Sequence, residues 1–102
     1  MAYAKVYSLA HLPPGMLTEV IIAGDPVALC NVAGEIRALC GVCPHNGGPL
    51  GQGAMNGPNI VCPWHAWEFN AITGENDFDR SLRVPTHAVR VEGDDILVDT
   101  AA

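Results

Sequence analysis

Apolar positions in this chain come in short runs broken by turn-forming residues. No segment sustains the roughly 10–12 residues of 3.6-residue periodicity that a helix would show. Strand-like runs stand at AKVYSL near the start, LTEVIIA at 17–23, VALCNV at 27–32 and EIRALC at 35–40, with Ala33-Gly34 turning the middle pair into a hairpin. Near the other end HAVRVEGDDILVDT predicts strands over 87–92 and 95–99, joined by a turn at Gly93-Asp94. The early and late strands together predict one antiparallel scaffold, and the fold class is all-β.

The centre breaks this pattern. From Gly41 to Gly74 the chain reads GVCPHNGGPLGQGAMNGPNIVCPWHAWEFNAITG, dense in Gly and Pro, with short strand candidates only at 59–62 and 67–70 and a turn expected at Met55, Asn56 and Gly57. Ordering so many turn-formers costs conformational entropy that short elements cannot offset, so something must tie the loops together. The expected organisation is a single domain over 1–102 with a loop-built subdomain at about 41–74.

The 102 residues fit one domain and exclude two large catalytic ones. Charged residues are 16% and hydrophobic ones 49%, which excludes a solvated acidic tail. The formal charge of -6, with no basic patch among Lys5, Arg37, Arg80, Arg83 and Arg90, argues against nucleic acid or an anionic membrane and favours a partner with a basic face. No run approaches ~18 apolar residues, and the start lacks the pattern of a secretion signal, so a cytoplasmic protein is expected.

Four cysteines raise the alternative of a disulfide framework, but nothing else suggests an extracellular setting. Cys30 and Cys40 lie in apolar strand-like runs and read as small buried hydrophobes. Cys43 and Cys62 each stand beside a proline and just before a histidine. The pattern is Cys43-x-His45, sixteen intervening residues, then Cys62-x-x-His65. Two thiolates and two imidazoles on loop tips can converge on metal, whereas a catalytic Cys/His pair needs only one of each. A tetrahedral Zn²⁺ site and a [2Fe-2S] cluster both use this set.

CPHNGGPLGQG at 43–53 and CPWHAWEFNAITG at 62–74 resemble the Rieske [2Fe-2S] proteins, and most closely the small Rieske-type ferredoxins of bacterial aromatic-ring dioxygenase systems. The likeness extends past the ligands to Gly47, Gly48, Pro49, Leu50, Trp64, Trp67, Phe69, Thr73 and Gly74. It implies an antiparallel β-sandwich with a small cluster-binding subdomain. It also implies one [2Fe-2S] cluster, Cys43 and Cys62 on the inner iron and His45 and His65 on the outer, surface-facing one. The implied role is one-electron transfer from an NAD(P)H-dependent flavoprotein ferredoxin reductase to a terminal oxygenase, by a monomer that is not itself an enzyme. The small subunit of an assimilatory NAD(P)H nitrite reductase is the alternative.

Two departures set the subclass. High-potential members of the family carry a loop-bridging disulfide where this chain has Gly47 and Trp64, and Ser and Tyr hydroxyls where it has Trp67 and Phe69. Fewer donors to sulfur disfavour the reduced form, so a potential near the bottom of the Rieske range, roughly -150 mV, is expected. Gly47 and Gly48 are expected to let the backbone approach the cluster and aim N–H groups at sulfur. Pro44 and Pro63 should stiffen the loops, Trp64 should offer a docking surface and Trp67 should pack. His11 and His87 read as scaffold residues, and Glu75, Asp77 and Asp79 as a solvated face.

Overall fold

A computed structural model describes residues 2–44 and 46–99. Among these residues ten strands make three antiparallel sheets. β1 (Tyr3–Ser8), β10 (Asp95–Asp99) and β9 (Val89–Glu92) form the first, in that order. β2 (Leu17–Ile22), β3 (Asp25–Val32), β4 (Glu35–Cys40) and β8 (Thr86–His87) form the second, and β5 (Ala54–Asn56), β6 (Asn59–Val61) and β7 (Glu68–Asn70) the third. Only two short 3₁₀ turns, Leu9–His11 and Leu50–Gln52, interrupt the strands among the described residues. No helix among them is long and apolar enough to cross a membrane.

The unbroken apolar run of β3 follows from its position. Val27 and Leu29 face one way, into a core shared with Leu12, Ala38 and with Ile96 and Val98 of β10. Ala28 and Cys30 face the other way, into a second core with Leu39, Leu50, Ile60, Phe69, Ala71 and Val84. A strand covered on both faces has no solvent side to alternate toward. The first core closes the sandwich; the second fastens the central loops to it.

The β3–β4 hairpin forms at Ala33-Gly34 as expected, with both residues in the left-handed region (φ 51° and 97°). That geometry matches the twist of the flanking strands. Asn31, at the end of β3, braces it from inside. Its Oδ1 accepts the Gly34 N–H at 2.7 Å and its Nδ2 donates to the Leu12 carbonyl at 2.8 Å. Asn31→Ala strips a buried acceptor and a turn donor of their partner, and we expect a loss of about 2 kcal/mol. Thermal unfolding followed by circular dichroism should then show a midpoint roughly 10 °C lower.

Two expectations need correcting. The strand expected over 87–92 breaks at Ala88, because His87 pairs with Ala38 in the second sheet while Val89 pairs with Val98 in the first. The scaffold is therefore two sheets, with the chain crossing between them at this point. Met55 and Asn56, expected in a turn, lie in β5, where Met55 pairs with Ile60. The turn is Gly57-Pro58, one residue further on.

Candidate metal centre

Two loops rise from the third sheet and the end of β4. The first closes on itself: the Cys43 N–H donates to the Gly48 carbonyl at 2.9 Å and the Gly47 N–H to the Cys43 carbonyl at 2.8 Å. Its root is tied by the Gly41 N–H to Pro26 at 2.9 Å and the Leu50 N–H to Gly41 at 3.0 Å, with Leu50 fully buried beneath. The second loop is pinched at its neck by the Cys62 N–H donating to the Trp67 carbonyl at 2.7 Å. Ile60 and Phe69, paired across β6 and β7 and both buried, anchor it to the core.

The loops bring Cys43 and Cys62 together. Both are buried, and their thiols hydrogen-bond to each other. Burial pushes the Cys62 thiol up, the Trp64 backbone N–H donating to its sulfur pulls it down, and the neighbouring Cys43 raises it again. His65 is exposed on the same loop, with φ 68°, followed by Ala66 at φ 57°. Two successive non-glycine residues in the left-handed region carry strain that the surrounding packing must hold, a pattern concentrated at functional sites. His45 lies outside the described residues.

The glycines divide their labour differently from the sequence-based expectation. A methyl at Gly48 would lie 2.7 Å from the Cys62 sulfur and 3.2 Å from the Trp64 ring, so the close backbone approach is real there. The Gly47 N–H, in contrast, is taken by the Cys43 carbonyl, and its place is set by a positive φ of 75°. The donor to sulfur that sequence reasoning missed is the Trp64 N–H. The signal was present in Cys62-Pro63-Trp64: the proline leaves the next residue as the first with an N–H to offer the sulfur.

Trp67 packs against the second core, as expected, and Trp64 is 48% exposed beside His65. The remaining candidates are scaffold. His11 is exposed and meets Tyr7 edge-on at 6.3 Å, and His87, in β8, pairs with Ala38 of β4. Cys30 is buried, which pushes its thiol to about 11 although Arg37 pulls the other way. Cys40 is half-buried. Glu75 is held below the usual carboxylate range chiefly by its hydrogen bond from Arg83 at 2.9 Å, and Asp79 by Ser81. Asp77 is exposed, so the acidic stretch is partly paired, at Glu75 and Asp79, and partly solvated.

Two adjacent thiols in a pocket that a single methyl would fill suit soft metal ligation. Among the described residues, to which His45 does not belong, no three His, Cys, Asp or Glu side chains are grouped to hold a single metal ion.

The comparisons with known proteins agree. The ferredoxin component of biphenyl 2,3-dioxygenase from Rhodococcus jostii (strain RHA1) is 32% identical over 100 residues, 97% of this chain and 94% of that protein. The ferredoxin of carbazole 1,9a-dioxygenase from Nocardioides aromaticivorans IC177 superposes with a TM-score of 0.87 at 29% identity, covering 96% of this chain and 97% of the other. A structure described as an NADH-dependent nitrite reductase small subunit, from Mycobacterium tuberculosis, gives the same TM-score of 0.87 at 25% identity, over 99% and 96% of the chains. The family model for the Rieske [2Fe-2S] domain matches residues 2–98, and with paired thiols at the loop tips of a three-sheet β fold, this chain belongs to that family and holds one Rieske-type [2Fe-2S] cluster.

Proposed function

We propose that Cys43, His45, Cys62 and His65 hold the cluster, thiolates on one iron and imidazoles on the other, and that the chain carries single electrons from an NAD(P)H-dependent flavoprotein reductase to a terminal aromatic-ring dioxygenase. The observation that carries this reading is the pair of buried thiols that the two loops bring together, with His65 exposed on the loop of Cys62. Bound there, the cluster supplies a reversible one-electron valence change. Cys43 and Cys62 fix its inner side in a pocket walled by the second core, which excludes water. His65, at the surface, places the other side where a partner can approach.

Trp67 and Phe69 carry no hydroxyl at the positions where a hydroxyl donor to sulfur would favour the reduced form. The Trp64 N–H is a donor that remains. Residues 1–102 act as a single domain in this proposal, the part at about 41–74 binding the cluster, and β3 supports this by contributing side chains to both cores. A monomer in the cytoplasm suits the free thiols of Cys30 and Cys40, which a reducing compartment preserves.

Electron paramagnetic resonance of the dithionite-reduced protein, with iron and acid-labile sulfide assays, tests the centre. A rhombic imidazole-ligated spectrum, equal iron and sulfide, and a midpoint potential near roughly -150 mV rather than about +300 mV are expected. A silent spectrum with zinc and no sulfide would overturn the carrier reading. In reconstitution with reductase and NAD(P)H, electrons should reach the oxygenase; delivery to a sirohaem nitrite reductase instead would replace the partner.

A further inference from the structure

Phe78 is 82% exposed, the most exposed of the large apolar side chains among the described residues. It is not on a slack loop. The side chain of Asn76, itself 1% exposed, accepts the N–H groups of Phe78 and Asp79, both at 3.0 Å, and donates to the Glu68 carbonyl at 3.1 Å. The Asn76 N–H donates to the Leu82 carbonyl at 2.8 Å and the Asp77 N–H to the Glu68 carbonyl at 3.1 Å. Asp79 then accepts both the N–H and the hydroxyl of Ser81, at 3.0 and 2.6 Å. A buried amide thus fixes a loop whose apex presents a phenyl ring to water.

The ring meets Trp67 edge-on, with centroids 6.4 Å apart and planes at 76°. Trp67 follows His65 by two residues, and the half-exposed Trp64 precedes it by one. Aromatic surface therefore flanks the His65 turn on both sides in the chain. Rigid aromatic side chains give binding area with little ordering cost, which makes them the usual anchors of protein interfaces. Asp77 and Asp79, both exposed, flank Phe78 in the sequence; Glu75 and Arg83 neutralise each other, and Arg80 follows, in a chain of formal charge -6.

We propose that Phe78 is the apolar anchor of the docking surface for the terminal oxygenase, seated in an apolar recess that basic side chains of the oxygenase rim. The proposal rests on the carrier function above and adds to it the residue that sets the encounter. An apolar anchor governs affinity, and the flanking carboxylates govern the salt-dependent approach. Neither is needed for reaction with a small inorganic oxidant.

Stopped-flow oxidation of the reduced protein separates the possibilities, using in one arm the terminal oxygenase of an aromatic-ring dioxygenase system that this chain reduces and in the other ferricyanide. Phe78→Ala should lower the second-order rate constant toward the oxygenase about 30-fold, the effect of losing a hot-spot residue. Its rate with ferricyanide and its paramagnetic resonance spectrum should be unchanged, and Phe78→Leu should retain most of the rate. Asp77→Asn should flatten the salt dependence of the oxygenase arm. Equal oxygenase rates for Phe78→Ala and wild type overturn the anchor, as does an equal loss in both arms, which would place Phe78 in the cluster's own support. A wild-type dimer that Phe78→Ala dissociates would show that a second copy covers the ring, and also overturns it. Wild-type protein that reduces no such oxygenase, while reacting with ferricyanide, refutes the carrier reading on which the proposal stands.

Discussion

Cys62→Ser is expected to purify colourless, with iron and sulfide near zero, whereas Cys30→Ser keeps its visible absorption and its full iron content. The two cysteines are buried in the same core, so accessibility does not separate them. Their neighbours do. The Cys62 sulfur lies against the Cys43 thiol and receives the Trp64 N–H, so two soft donors stand side by side where iron can take the place of their protons. Cys30 faces apolar side chains that push its thiol up to about 11, an environment that keeps it protonated and inert. A serine hydroxyl is a hard, weakly acidic donor and a poor replacement for thiolate on iron. At Cys30 it is only a small polar group in a core, with a cost of about 1–3 kcal/mol in stability.

Loss of the cluster should also lower the thermal midpoint of Cys62→Ser well below that of Cys30→Ser. The loops from Gly41 to Gly74 have little regular structure of their own, and metal binding to the folded form alone adds its free energy to folding. Iron analysis and thermal scans on the same preparations check both parts. Two irons retained by Cys62→Ser would mean that Cys62 is not a ligand.

The ligand motif was legible because its chemistry resides in residue types at fixed spacing, and the four early strand candidates were legible because hairpin residues bound them. What the sequence concealed is geometry that no side chain announces. β5 is three residues long and runs into the turn-forming Asn56-Gly57-Pro58, and it forms because Ile60 and Phe69 bury one side of β6–β7 and leave an edge for Met55 to pair with. The break at Ala88 falls inside an alternating run, since both halves are strand and only the sheet they join changes. At the site, which N–H faces sulfur depends on how each loop closes. Gly47 was the natural candidate as a flexible residue beside the Cys43-x-His45 motif, but the carbonyl of Cys43 takes its N–H. Asn76 gave no signal at all: one asparagine among several polar residues, it organises a loop because its amide is buried where three backbone groups converge.

Gly53→Ala is expected to be among the most damaging of single-methyl additions, although Gly53 is neither a ligand nor in the left-handed region. A methyl there would stand 1.9 Å from the Val61 carbonyl oxygen and 3.2 Å from the Pro63 ring. Neither neighbour can swing away, since Val61 is paired with Ala54 across β5–β6 and Pro63 is rigid. The clash must therefore open the β5–β6 pairing or displace the chain on either side of Cys62. Overpacking of this severity costs about 3 kcal/mol, and for a domain of this size that is a drop of roughly 12–24 °C in midpoint. Gly34→Ala is the matched comparison. Gly34 has φ 97° and nothing within 4 Å of an added methyl, so its cost is confined to backbone strain of about 1 kcal/mol. Iron release to a chelator should be faster in Gly53→Ala than in wild type and unchanged in Gly34→Ala, because only the first wedge bears on a cysteine loop. Equal destabilisation of the two variants, with equal iron retention, would mean that the strands relax around Gly53 and that the neck of the second loop is not the rigid support on which the cysteine pairing depends.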